Sequence, residues 1–286
     1  MSGRPGRVEA RVDRMLRLLG ERGLEARAFP TVGPLSATAL AGEAVAGGAS
    51  IVVSYGGDGT ANEVAQAVAG SDVGLAVWPG GTANVIAGEL SMPSRTAELA
   101  QVIAAGKTRR IALGRAQAAE QSIDRYFIMM AGIGIDAEVS RTTSPLLKRM
   151  GGKLAFGVSA VWHLLAWPFA PFSLSVEGEH LETAFALVAN GRGYGASICL
   201  APDAKLEEPS FEVFAMPVQA RRLAYLRAFV ACRREDACRR KGRLIEARRL
   251  EASSAGEVWV QVDGEVAGRL PMSFEIVPDA LSVVVP

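Results

Sequence analysis

Cysteine is scarce: Cys199, Cys232 and Cys238 are the only three in 286 residues. So odd and sparse a set builds no disulfide framework and points to a reducing compartment. Neither sign of charge prevails. With 31 Lys plus Arg against 30 Asp plus Glu, the formal net charge is +1, which gives no whole-molecule field for nucleic acid. Long apolar runs are lacking as well. The opening MSGRPGRVEARVDRMLRLLG carries basic residues but no uninterrupted apolar core, unlike a signal peptide. The most apolar stretch, Leu154 to Phe172, contains His163 and two prolines, and is too short and too broken for a membrane span. Internal repeats and low-complexity linkers are absent. What is left reads as a cytoplasmic globular protein, 49% hydrophobic and 21% charged, long enough for two domains with a core each.

Two textures follow one another. Over residues 1–113 helical and strand patterns alternate. RVEARVDRMLRLLGERG has Val12, Met15, Leu16 and Leu19 at helical spacing and stops at glycines. ATALAGEAVAGG, ANEVAQAVAG and AELAQVIAAGK read as further helices. SIVVSY and GLAVWP are continuous apolar runs, as expected of strands buried on both faces. Strand, helix, strand in that order predicts right-handed crossovers and a parallel sheet. Over 114–286 the runs become short and β-like: RYFIMMAG, FSLSVEG, ETAFALVAN, FEVFAMPV, EVWVQVDG and LSVVVP, with one helical insert from Lys153 to Trp167. That pattern predicts an antiparallel sandwich or barrel. The fold class is therefore an α/β domain with a parallel sheet followed by a β-sandwich.

The chemistry begins at Gly56-Gly57-Asp58-Gly59-Thr60, between the run ending at Tyr55 and a helix. Glycines let the backbone turn tightly and approach a ligand without a Cβ in the way. A helix starting there turns its free N–H groups and its dipole toward the loop, a seat for phosphate. A carboxylate among phosphates is repelled unless it holds Mg²⁺ or a proton in transit, which singles out Asp58. The loop is neither a Walker A sequence nor a GxGxxG turn. A second turn repeats the design: buried run, Pro79-Gly80-Gly81-Thr82, then a helix opening at Asn84. Thr82 and Asn84 also suit simple N-caps. Both turns would open at the carboxyl edge of the sheet, where ligands bind. Further along, Asp263 and Glu265 lie two apart, so they can share one face, and either can take a hydroxyl proton during phosphoryl transfer. Alone, Asp-Gly-Glu is more often a surface hairpin turn.

Five segments in order, GGDGTANEV, PGGTANVIAGEL, GIGIDAEV, NGRGYGASICLAPDA and VQVDGE, resemble the diacylglycerol kinase catalytic-domain family. That family includes bacterial lipid kinases and the sphingosine and ceramide kinases. The first motif is shared with NAD kinases; the ordered set is not. The resemblance runs from about Thr31 to Pro286. It implies a nucleotide-binding domain, a β-sandwich, an active site between them, and transfer of the γ-phosphate of ATP, with Mg²⁺, to a lipid hydroxyl, first of all diacylglycerol. It implies that Gly56, Gly57, Asp58, Gly59, Thr60, Asn62 and Thr82 hold the nucleotide, with Thr31 as a further candidate. Glu63 would support the loop, or act as a capping glutamate. Asp263 and Glu265 become the catalytic acid pair, either one the base. A second Mg²⁺ is implied at Glu208 with the carbonyls of Lys205 and Ser210, although Pro209 stands where relatives carry glycine, so a metal-free turn is the alternative. Asp136 and Glu138 take the place of headgroup-binding acids, or else hold backbone amides.

The chain departs from the family pattern in three places. MSGRPGR stands where an opening strand and an NPxSG turn are expected, so the sheet is expected to lack that strand. Val85 and Ala112 stand where many relatives carry Asp. Lys148, Arg149 and Lys153 mixed with Leu, Phe and Trp suit an interfacial helix or a core helix. From Arg221 to Arg249, eleven Lys/Arg against three acids form a stripe that suits anionic lipid or plain solvent. Peripheral contact with the inner membrane surface follows from the lipid acceptor; a homodimer is left open. The alternatives are a ceramide or sphingoid-base kinase, and a catalytically silent nucleotide- or lipid-binding regulator.

Overall fold

The computed structural model describes residues 5–142, 170–193, 199–218, 231 and 239–286. Lys148, Arg149, Lys153, His163, the arginines from Arg221 to Arg234, Cys232 and Cys238 lie outside the described residues. The chain divides into two units, one of Met1–Ile111 with Asp279–Pro286 and one of Ala112–Pro278. The expected division at 113/114 left out that return of the chain end.

The first unit opens with α1 (Pro5–Gly20), whose Met15 and Leu19 are buried. It continues with α2 (Ser36–Ala46), β1 (Ile51–Gly56), α3 (Asp58–Val68), β2 (Gly74–Pro79), α4 (Val85–Glu89) and α5 (Thr96–Ala105), and enters β3 (Thr108–Ala118). β1 and β2 pair in parallel from Ile51↔Gly74 to Gly56↔Pro79, because α3 carries the chain back between them. Ser282 and Val283 pair in parallel with Gly74 and Leu75 on the other side of β2. Neighbours on both sides bury β2 from Gly74 to Trp78. β1 differs from expectation: only Ser54 is buried, because among the described residues β2 is its only strand partner. The apolar run predicts a strand covered on both faces, and the fold makes it an edge.

The second unit contains β4 (Ile123–Phe127), β5 (Met130–Gly134), α6 (Ile135–Thr142), β6 (Phe172–Val176), β7 (Glu179–Ala189), β8 (Phe211–Pro217), β9 (Arg243–Ala247), β10 (Arg249–Ser253), β11 (Trp259–Val262), β12 (Glu265–Arg269) and the start of β13 (Met272–Val284). Its ladders are antiparallel, in the order β10-β6-β7-β5-β11-β12, with β8 on β7 and β9 on β8. The alternation of FSLSV puts Phe172, Leu174 and Val176 inward, where they meet Phe127, Phe211 and Phe274 in one core. Each such side chain contributes about 1.5–3 kcal/mol on burial. RYFIMMAG, expected as one strand, is two. The break falls at Ile128 and Met129, for a reason that lies in the site.

Candidate active site

The two glycine turns of the first unit are interlocked. Gly80 N–H donates to the Gly56 carbonyl at 2.8 Å. A Cβ on Gly81 would lie 2.5 Å from the Cα of Gly57, and one on Gly56 would meet Thr60 Oγ1 at 2.5 Å. Gly81 is thus required by the backbone of the other turn, and Gly56 by the Thr60 side chain, before any ligand arrives. The second turn closes on itself through Asn84, whose Oδ1 accepts Gly81 N–H at 2.8 Å and whose Nδ2 donates to Gly81 O at 2.9 Å. Asn84 sits at the N-cap position of α4 but makes no cap bond. Asp58 caps that helix instead, its Oδ1 accepting Ile86 N–H at 2.9 Å. The acid expected among phosphates is therefore also the clip that joins the two turns. α3 itself begins at Asp58 without a side-chain cap, so its first-turn N–H groups and the positive end of its dipole remain available to an anion. Thr82 is exposed beside them, and Gly59 and Thr60 form the first turn.

Three residues expected near the nucleotide are employed elsewhere. Asn62 is buried in α3, with its Oδ1 accepting Gln66 Nε2 at 3.1 Å. Glu63 neither supports the loop nor caps its own helix. Its Oε2 accepts Ala37 N–H at 3.0 Å and so caps α2. Thr31 is exposed in an irregular stretch that Ser36 Oγ ties to α2 by accepting the Val32 and Gly33 N–H groups.

In the second unit the Asp-Gly-Glu segment is a two-residue hairpin. Val262 pairs with Glu265, and Asp263 and Gly264 both have positive φ, 47° and 86°, as a type I′ turn demands. The Asp263 carboxylate serves the backbone. It accepts Ile128 N–H at 2.7 Å, Met129 N–H at 2.9 Å and Met130 N–H at 3.0 Å. This is the reason β4 and β5 are separate: those amides serve a carboxylate in place of a ladder. The carbonyls of the same segment are taken too. Ile128 O accepts Asn190 Nδ2, Met129 O accepts the N–H groups of Asn190 and Gly191, and Met130 O accepts Asp263 N–H. Every backbone group there has a partner, as burial requires. Glu265 differs. It is exposed on the hairpin, its carboxylate 3.2 Å from Arg125 Nη2. The two acids that the sequence left unranked thus have different surroundings.

Asp136 is buried, 9% exposed, and its Oδ2 accepts Gln261 Nε2 at 2.5 Å. Glu138 forms a two-pronged pair with Arg141, at 3.0 and 2.6 Å, and that guanidinium lies over Trp259. Neither carboxylate presents the open, solvent-facing acid that a cationic headgroup would meet. At the expected second metal site, Glu208 N–H donates to Lys205 O at 3.0 Å, and the Glu208 carboxylate lies 3.5 Å from the Lys205 ammonium. Ser210 is half-buried beside them. The carboxylate expected to hold Mg²⁺ thus faces a cation of the chain itself, and one of the expected carbonyl ligands already accepts an N–H. Among the described residues no group of three or more His, Cys, Asp or Glu side chains could hold a metal. Nearby Glu212 accepts the N–H groups of Asp203 and Ala204 at 2.8 and 3.1 Å. Burial pushes its pKa up against those two bonds.

A basic cleft escaped the sequence reading. Arg7, Arg11, Arg14 and Arg95 line a space of about 570 Å³ between α1 and the start of α5. Arg11 lies over Tyr55 and Trp78, 5.4 and 5.5 Å from their rings, and those rings stack at the ends of β1 and β2 where the glycine turns begin. The signal was present: positions 7, 11 and 14 fall on one helical face.

Comparison with known proteins places these elements in context. Residues 2–116 match the family described as diacylglycerol kinase catalytic domain. Residues 129–285 match the YegS C-terminal NAD kinase beta sandwich-like domain. The chain is 28% identical over 258 residues to a diacylglycerol kinase of Mycobacterium tuberculosis, covering 86% of this chain and 80% of that protein. It is 29% identical over 265 residues to a diacylglycerol kinase of Staphylococcus epidermidis, covering 90% and 80%. A crystal structure of a diacylglycerol kinase from Bacillus anthracis superposes with a TM-score of 0.76 at 21% identity, over 97% of this chain and 92% of that one. The last comparison establishes likeness of fold.

Proposed function

The chain belongs to the family of lipid kinases that joins a diacylglycerol kinase catalytic domain to a YegS-type β-sandwich, and from that premise we propose that it transfers the γ-phosphate of ATP to the hydroxyl of diacylglycerol. The observation that carries this reading is the pair of interlocked glycine turns with the uncapped start of α3 and Asp58 between them. Backbone N–H groups at a helix start bind phosphate without a charged side chain. The arginine cleft beside Tyr55 and Trp78 supplies countercharge to the rest of the polyanion. Asp58 fits Mg²⁺ as a single carboxylate, since that ion takes one or two protein carboxylates and draws its other oxygens from phosphates and water. Held there, the ion would supply countercharge for the leaving ADP.

The remaining chemistry is proton transfer. The lipid oxygen bonds to the γ-phosphorus, the bond to the β-phosphate oxygen breaks, and the hydroxyl proton needs an acceptor. Asp263 is ill placed for that, with its two oxygens already accepting three backbone N–H groups. Glu265 is exposed and holds one ion pair, so it is the base in this reading, with Asp263 holding its turn. Products are ADP and a lipid phosphate monoester. The acceptor is reached at a membrane surface, so the contact is peripheral. Among the described residues no helix is long and apolar enough to cross a bilayer.

The test offers labelled ATP with Mg²⁺ to diacylglycerol, ceramide, sphingosine and NAD in mixed micelles. The expected result is product on diacylglycerol alone, lost in Glu265→Gln. Product on ceramide or sphingosine moves the acceptor within the family. Nucleotide binding with no product on any acceptor leaves a silent regulator and overturns the proposal.

A further inference from the structure

A buried polar chain runs from α6 to the catalytic hairpin. Gln261, 2% exposed in β11, donates from Nε2 to Asp136 Oδ2 at 2.5 Å and accepts the Gly264 N–H on Oε1 at 2.6 Å. Room for the contact is provided by Gly132, which lies across from Gln261 in the β5–β11 ladder. A Cβ there would lie 2.1 Å from Asp136 Oδ2 and 2.6 Å from Gln261 Nε2. The β11–β12 register shifts at Val260/Gln261, an irregularity that re-aims a side chain next to a turn. Burying an amide and a carboxylate costs free energy unless both are bonded, and here they bond to each other.

We propose that Asp136 and Gln261 are a positioning pair that fixes the turn from which Glu265 projects, and this rests on the reading of Glu265 as the base. A glutamine amide can face either way. The anion of Asp136 selects one orientation, with Nε2 toward the carboxylate and Oε1 toward Gly264. The reversed amide would set two N–H groups against each other at the turn. The carboxylate of Asp263 ties the first turn residue to the 128–130 amides, Gln261 anchors Gly264, and Glu265 follows directly. The charge of Asp136 is thereby directed inward, toward the hairpin and not toward an acceptor headgroup.

Charge exchange tests the pair. Gln261→Glu sets two carboxylates face to face and removes the donor. It is expected to lower kcat about a hundredfold, the cost of a displacement near 1 Å at a reacting group, with the KM for ATP unchanged. Adding Asp136→Asn restores the donor from the other side: the amide of residue 136 donates to residue 261, whose other oxygen still accepts the Gly264 N–H. The double variant is therefore expected to recover at least about tenfold of the loss. Amide hydrogen exchange at Gly264, followed by NMR, gives a readout independent of turnover: faster in Gln261→Glu, and slowed again in the double variant. A double variant no better than the single one in both readouts overturns the pair. If instead Glu265→Gln turns over like wild type while the exchange pattern holds, the base assignment fails and the hydrogen-bonded chain stands.

Discussion

Asp263→Asn separates structure from catalysis at the hairpin. Asparagine accepts φ near +50° as readily as aspartate, so the substitution leaves the turn unstrained and alters only the carboxylate. Asp263 Oδ1 accepts Met129 and Met130 N–H, and Oδ2 accepts Ile128 N–H at 2.7 Å. The amide keeps the first two partners but turns an NH₂ toward Ile128 N–H, donor against donor. Loss of one charge-assisted bond, with a buried N–H left unpaired, costs about 2–4 kcal/mol. At about 2–4 °C per kcal/mol for a domain of this size, the thermal midpoint falls by roughly 5–15 °C. Glu265→Gln provides the contrast. It removes an exposed ion pair worth at most about 1 kcal/mol, while the loss of a general base lowers turnover about 10²–10⁴-fold. Differential scanning fluorimetry beside a γ-phosphate transfer assay reads both variants. An Asp263→Asn protein with the wild-type midpoint and no activity would refute the reasoning, because Asp263 would then be the base.

Three further outcomes follow from the same geometry. Gly81→Ala drives a methyl group onto the Gly57 Cα; it should cost about 1–3 kcal/mol and weaken binding of a non-hydrolysable ATP analogue, measured by calorimetry. Asp58→Asn keeps an oxygen for Ile86 N–H, so the midpoint should hold while turnover falls about 10²–10³-fold; Asp58→Ala should lose about 1 kcal/mol of cap stability as well. Glu212 has its pKa raised by burial, so the stability it contributes is fully present below the ordinary glutamate range and lost as pH rises through its raised value. Glu212→Gln keeps an acceptor for Asp203 and Ala204, and should be more stable than wild type at pH 7, with the gain vanishing toward pH 4 in denaturation curves.

The local grammar of the sequence was largely sufficient for the first unit. Apolar run, glycines and helix start at Tyr55–Thr60 became strand, turn and helix, since that succession is decided by neighbours in the chain. Partners distant in sequence were not legible. Asp58, Glu63, Asn84 and Asp263 all have the chemistry of ligand-binding residues. Each uses side-chain oxygen on a backbone amide, and for three of them that amide is remote: Ile86, Ala37 and Ile128. Gly81 looked like an opening for a ligand, and its first role is to let two turns touch. LSVVVP read as one more sandwich strand, yet Ser282 and Val283 pair with β2; period-2 patterns do not name the sheet they join. β1 read as buried because its residues are apolar, and only pairing could show it to be an edge.

The central claim is tested most directly by incubating wild type and Glu265→Gln with labelled ATP, Mg²⁺ and diacylglycerol micelles, and separating the lipids by chromatography. Labelled lipid phosphate monoester in the wild-type lane, with at least a hundredfold less in the variant at an unchanged thermal midpoint, is the predicted result. Equal product in both lanes, or label only in inorganic phosphate, would contradict it.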